Sequence, residues 1–127
     1  MSSSQVFESV RSPAVASLFY PGNPLELQQN VRELLDEASQ DVDLPDDRIL
    51  RALIVPHAGY VYSGSTAAKA YRLLNNYRDE FRRIILLGPA HRVWIQGIAC
   101  PGVEAFETPL GRIPLAVTQI RELLRFP

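Results

Sequence analysis

Two histidines, His57 and His91, are the only imidazoles in this 127-residue chain, and both occupy the same kind of place. His57 follows the apolar run at 49–55 by two residues, and His91 follows the apolar run ending at Gly88 by three. In an open parallel sheet, ligands bind in the crevice at the carboxyl ends of the strands. Two imidazoles delivered to that edge can converge, and imidazole is a ligand for zinc, copper and iron. A histidine at a strand end can equally be a structural residue, but here both lie behind proline-bearing turns, Pro56 and Pro89. Their spacing fits no single-helix metal motif, so a shared site depends on the topology.

The residues around them allow more than one reading. Gly59-Tyr60-Val61-Tyr62-Ser63-Gly64-Ser65 leads into a helix, where Ser63, Ser65 and backbone N–H groups can hold a carboxylate or phosphate, or simply cap the helix. No Gly-Lys-Ser follows, and the glycine spacing is not the dinucleotide fingerprint. Tyr60 and Tyr62 are expected to wall the cleft, because an unperturbed phenol titrates near pKa ~10 and is a poor acid–base group at neutral pH. Trp94 is expected in the cleft wall or the core. Cys100 is a packed or incidental thiol, a soft ligand or a nucleophile, and Glu104 or Glu107 a solvated carboxylate or a partner that orients a histidine.

The elements that must position these groups follow from pattern. Residues 1–12 are small and polar, a flexible arm, and 13–127 read as one domain. Residues 13–21 predict an extended segment. Asn23-Pro24-Leu25-Glu26 is a helix start, with Asn23 as cap, Pro24 at the first helical position and Glu26 three residues after the cap. Leu27, Val31, Leu34, Leu35 and Ala38 continue it at helical spacing. The acidic stretch 41–47 predicts a solvated loop. Apolar runs at 49–55 and 83–88 predict strands buried on both faces, with a helix over 65–74 between them. A third strand is expected over 93–100, a turn-rich loop over 107–111 and a helix over 115–125. Strand, helix, strand makes a βαβ unit with parallel strands, so the fold class is α/β, a mostly parallel sheet flanked by helices. The chain stops directly after a helix that should lead to another strand, so the sheet reads as incomplete, with an edge available for self-association.

Composition narrows the partners. A formal net charge of -1 argues against nucleic acid or an anionic membrane. The single cysteine excludes an internal disulfide, and neither a signal peptide nor ~18 consecutive apolar residues is present, so a cytoplasmic protein is expected.

Val55-Pro56-His57-Ala58-Gly59-Tyr60 with Tyr62-Ser63-Gly64, then Leu87-Gly88-Pro89-Ala90-His91, then Glu107-Thr108-Pro109-Leu110-Gly111, resembles the Memo family, also called AmmeMemoRadiSam system protein B. The stretch from Pro13 to Pro21 agrees, with Ser17 where the pattern leads one to expect glycine. The family is similar to the class III extradiol (LigB-type) dioxygenases, which open catechol rings with non-haem iron. The resemblance implies a three-layer α/β/α fold, with His57 and His91 as the two N-terminal members of a metal or metal-like site, and iron or copper as the cofactor. It also implies that the family continues past residue 127 with a further histidine, a His-Ser-x-Glu stretch and a cysteine, and that Cys100 is not that cysteine. Arg92 stands where some members carry a second histidine. The expected ligand is a small molecule or a peptide, and the family name implies a radical-SAM partner protein. A non-catalytic module holding a peptide or phosphopeptide in the same cleft is the alternative.

Overall fold

The computed structural model describes residues 8–38 and 49–126. The expected acidic loop at 41–47 lies outside the described residues, as do the first seven residues of the expected arm. The architecture is α/β, with a three-stranded sheet and three α-helices. Contacts divide it into two compact units, one formed by Val15–Ile84 and the other by Met1–Ala14 with Ile85–Pro127.

In the Val15–Ile84 unit, α1 spans Pro24–Glu37. It starts as the sequence predicts: the Asn23 side-chain oxygen accepts from the Leu25 N–H at 2.9 Å and the Glu26 N–H at 3.2 Å. Those are two of the four N–H groups a helix start leaves unpaired, and Pro24 has none to satisfy. Leu27 and Ala38 are buried and Val31, Leu34 and Leu35 half-buried, so the predicted stripe is the packed face. The helix expected over 65–74 begins five residues earlier: α2 covers Tyr60–Tyr71, and a 3-10 stretch continues over Arg72–Tyr77. Gly64 is therefore inside the helix, not in a turn, and its bare Cα lies under the Leu34 side chain where α1 and α2 pack. Ala68 and Leu73 are buried on the same unit. The Arg72 guanidinium donates to the Leu35 carbonyl at 3.4 Å, which ties the end of α2 to α1.

The segment over 13–21 is a folded-back loop, not the extended stretch expected. The Ser17 N–H donates to the Tyr20 carbonyl at 2.8 Å, and the Leu18 and Phe19 N–H groups both donate to the Val15 carbonyl. Ser17 takes φ 64°, in the left-handed region, which explains why glycine suits this position. A side chain there costs about 1–2 kcal/mol against a helical or extended conformation. Part of that returns through the greater unfolded-state entropy of glycine. Ser17→Gly is accordingly expected to stabilise the chain by about 0.5–1 kcal/mol, read as a higher urea midpoint; a lower midpoint would contradict the reading.

In the other unit, β1 (Glu8–Arg11), drawn from the stretch expected as an arm, pairs in parallel with β2 (Val103–Thr108), which pairs antiparallel with β3 (Gly111–Pro114). The β2–β3 hairpin turns through Pro109 and Leu110. The Thr108 hydroxyl accepts from the Leu110 N–H at 3.1 Å and donates to the Gly111 carbonyl at 3.0 Å, and Gly111 uses φ 130° to close the turn. The Arg11 guanidinium lies 5.5 Å from the Phe106 ring centroid, and the Glu107 carboxylate accepts from Arg112 at 3.2 Å. α3 is Val117–Leu123, shorter than the helix expected over 115–125.

The strands are not where the apolar runs predict them. Residues 49–55, 83–88 and 93–100 are irregular, and among the described residues no backbone hydrogen bond pairs them with another segment. A strand buried on both faces needs neighbours along its edges and layers on its faces. Here Ile54 is 100% exposed, and Ile84, Ile85, Leu86 and Leu87 are all exposed. Covering each such side chain is worth about 1.5–3 kcal/mol. Over 93–100 a second cause operates: Gly97 at φ 84° breaks the extended conformation. The hairpin forms because its partner strand is two residues away.

Candidate functional site

The loop carrying His57 is anchored just after the imidazole. Gly59 precedes the first turn of α2, and its carbonyl accepts from the Tyr62 and Ser63 N–H groups at 2.9 and 3.1 Å. A Cβ at Gly59 would lie 3.3 Å from the Phe19 carbonyl oxygen and 3.4 Å from its Cα, so the bare glycine lets the 15–20 loop approach closely. The Tyr60 N–H donates to that same carbonyl at 2.7 Å. From the other side, the Ser63 hydroxyl donates to the Ala58 carbonyl at 2.9 Å. Ser63 is buried at 8% exposure, so its proton holds the loop and does not face solvent. His57 is exposed on the segment these two bonds pin.

Tyr60 is half-buried, with its ring 5.7 Å from that of Tyr20. Burial raises its phenol above the ordinary tyrosine value, and Tyr20 and Tyr71 add to the effect. The unfolded state then loses this proton before the folded state does, so stability is full below the ordinary tyrosine value and declines as pH rises through the raised one. Tyr60→Phe is expected to flatten the fall in melting temperature between about pH 9 and 11; parallel pH profiles for the two proteins would refute it.

The loop, α1 and the start of α2 together line an open groove of about 860 Å³. Ser17, Tyr20, Asn23, Asn30, Tyr60 and Ser65 supply its polar groups, and Glu26 is the one charged residue in its lining. A lone carboxylate repels phosphate, so this groove suits an uncharged or cationic segment better than a phosphorylated one. Sequence reading reached Tyr60 but not the 17–23 wall, although Tyr20-Pro21-Gly22 is an aromatic beside a turn dipeptide, the signal that marks such a wall. Tyr62, at 86% exposed, is not part of the groove lining.

His91 and Trp94 belong to the unit that includes Ile85–Pro127, whereas His57, Tyr60, Tyr62 and Ser63 belong to Val15–Ile84. His91 is exposed and Trp94 is 85% exposed. Cys100 is a free, half-buried thiol. Glu107 is paired with Arg112 on the hairpin, which gives it a strand role in place of the loop carboxylate expected. Among the described residues no group of three or more His, Cys, Asp or Glu side chains could hold a metal ion. No helix among them is long and apolar enough to cross a membrane.

Residues 11–126 match the family model described as Memo-like protein. A MEMO1 family protein of Aquifex aeolicus is 33% identical over 118 residues, 93% of this chain and 41% of the relative. Protein memo-1 homolog of Caenorhabditis elegans is 36% identical over 118 residues, 93% of this chain and 31% of the relative. A MEMO1 family protein of Nitrosopumilus maritimus is 31% identical over 90% of this chain and 41% of its own length. The chain thus spans 31–41% of the length of these curated relatives.

Proposed function

This chain belongs to the Memo family, and on that premise we propose that it contributes two donors, His57 and His91, to a metal-type cleft whose other donors lie outside the described residues. The observation that carries the reading is the donor inventory: the two histidines of the chain are both exposed, in loops following apolar runs. Catalytic metal sites usually hold three protein ligands. The described residues offer no such group, so they do not by themselves fit a bound iron or copper. The chain alone is then a weak metal binder without efficient turnover. A complete Memo-type protein is the setting in which the cleft would support oxygen or redox chemistry of the extradiol dioxygenase kind.

The test is elemental analysis and Fe(II) titration under anaerobic conditions, on this chain and on a His57→Ala, His91→Ala double variant. Weak, substoichiometric binding that vanishes in the variant is the expected result. Equal metal content in both proteins would remove the histidines from the site.

The groove favours a second reading, a peptide-binding module without chemistry. Its Glu26 carboxylate and aromatic wall recommend a neutral or cationic peptide over a phosphopeptide. Glu26→Lys would reverse the preference in a fluorescence-anisotropy comparison of basic and phosphorylated peptides, and an unchanged preference would dismiss the groove. A radical-SAM partner is a third proposal, to be tested by co-purification.

A further inference from the structure

We propose that the groove walled by the 17–23 loop, α1 and the start of α2 takes an arginine side chain of a partner peptide, which rests on the peptide-binding reading above and names its ligand. Charge selects the class of occupant. Glu26 is the one charged residue in the lining, and among the described residues its carboxylate joins no ion pair. An anionic occupant is repelled there. A wholly apolar one would take the carboxylate out of water without a partner, a cost that opposes the gain from covering apolar surface. A basic occupant supplies that partner and covers the surface as well.

The rest of the lining separates the basic groups from one another. Phe19, Tyr20 and Tyr60 all line the groove, and the Tyr20 and Tyr60 rings stand 5.7 Å apart between centroids, tilted by 44°. Aromatic faces attract any cation, and a planar guanidinium can also stack on them. Neutral acceptors lie in the same lining, since Ser17, Asn30 and Ser65 each carry a side-chain oxygen. The Asn23 oxygen does not add to them, because it already accepts from the Leu25 and Glu26 N–H groups. A guanidinium brings five N–H donors, enough for a carboxylate and several neutral oxygens. A lysine ammonium brings three and is more strongly hydrated, so it gives up more on entry. A quaternary ammonium brings none and would leave carboxylate and acceptors without a hydrogen bond. Arginine is the side chain that uses the charge, the rings and the acceptors together.

The test is an NMR titration of the isotopically labelled chain with capped glycine peptides that carry one central arginine, lysine, trimethyl-lysine or citrulline. The arginine peptide is expected to shift the backbone amide signals of 17–23, Glu26 and 60–65. It should bind more tightly than the lysine peptide, with trimethyl-lysine weaker still and citrulline, the neutral isostere, without effect. Glu26→Gln should weaken the arginine peptide by about five- to tenfold. The same change should leave the melting temperature close to that of the parent, since this exposed side chain has no ion pair to lose among the described residues. Equal binding of all four peptides in the groove keeps the peptide-binding reading and overturns the arginine assignment, as does a preference for lysine or trimethyl-lysine. Groove signals that move with none of the peptides overturn both. Groove signals that move with the concentration of this chain alone give the site to a second copy and overturn the proposal.

Discussion

Leu27→Ala is expected to destabilise the Val15–Ile84 unit by about 2–5 kcal/mol, the cost of deleting a buried leucine side chain and leaving part of its cavity behind. Leu27 is 4% exposed, and the buried apolar residues among those described are few: Leu27, Ala38, Leu50, Ala68 and Leu73. Of these, Leu27 is the one leucine that α1 buries against the rest of its unit. A unit of this size has a net stability of about 3–10 kcal/mol, so the loss is comparable with the whole. Urea titration followed by far-ultraviolet circular dichroism should show a midpoint lowered by more than a third, or a sloping transition with no folded baseline. Leu25→Ala is the control, because Leu25 is 77% exposed on the same helix and its truncation should shift the midpoint by no more than about 0.5 kcal/mol. Equal effects from the two replacements would mean that α1 does not pack through Leu27.

What could be read from the sequence tracks how local each determinant is. The start of α1 was legible because every part of the signal lies within four residues: the Asn23 cap, Pro24 and the two N–H groups the cap accepts. Its stripe was legible because helical spacing brings Leu27, Val31, Leu34 and Ala38 to one side whatever they meet there. The strands were harder, because an apolar run declares that it needs cover without saying who provides it. Residues 50–55 and 84–87 have the composition of buried strands and no strand partner among the described residues. The sheet instead uses Val103–Thr108, whose hairpin partner is two residues away, and Glu8–Arg11, which composition had placed in an arm. The early start of α2 was hidden for a similar reason. Gly64 looks like a turn residue until the Leu34 side chain is seen against it.

The candidate site divides along the same line. Residue type and placement behind apolar runs single out His57 and His91. Whether two side chains converge is a tertiary property, and nothing in their spacing encodes it. Ser63 shows how a local reading can reach the right residue and leave its use open. Its hydroxyl was a candidate for a ligand or a cap, and it donates to Ala58, which holds the loop that carries His57. The 17–23 wall of the groove escaped notice because it depends on the folded-back loop, and that loop depends on Ser17 taking a backbone conformation its own residue type disfavours.

The second large effect concerns Gly64. A Cβ built there would stand 3.0 Å from the Leu34 Cδ1 atom and 3.5 Å from the Tyr60 Cβ. Two terms compete in Gly64→Ala. Replacing glycine inside a helix gains about 0.5–1 kcal/mol, and the Leu34 methyl must shift by a few tenths of an ångström, which a flexible side-chain end does cheaply. Alanine is therefore expected to be close to neutral. Gly64→Val keeps little of the helix gain, because β-branched residues have low helix propensity, and it adds two methyl groups to a contact that is already tight. Overpacking of that kind costs about 1–3 kcal/mol. The cycle that isolates the contact combines Gly64→Val with Leu34→Ala. If the clash with Leu34 is the cause, the double variant should be less destabilised than the sum of the single changes, with a coupling of about 1–2 kcal/mol. Strict additivity would place the strain in the helix backbone instead, and α1 and α2 would then be held together by Leu27, Ala68 and the Arg72 bond to Leu35, without close approach at Gly64.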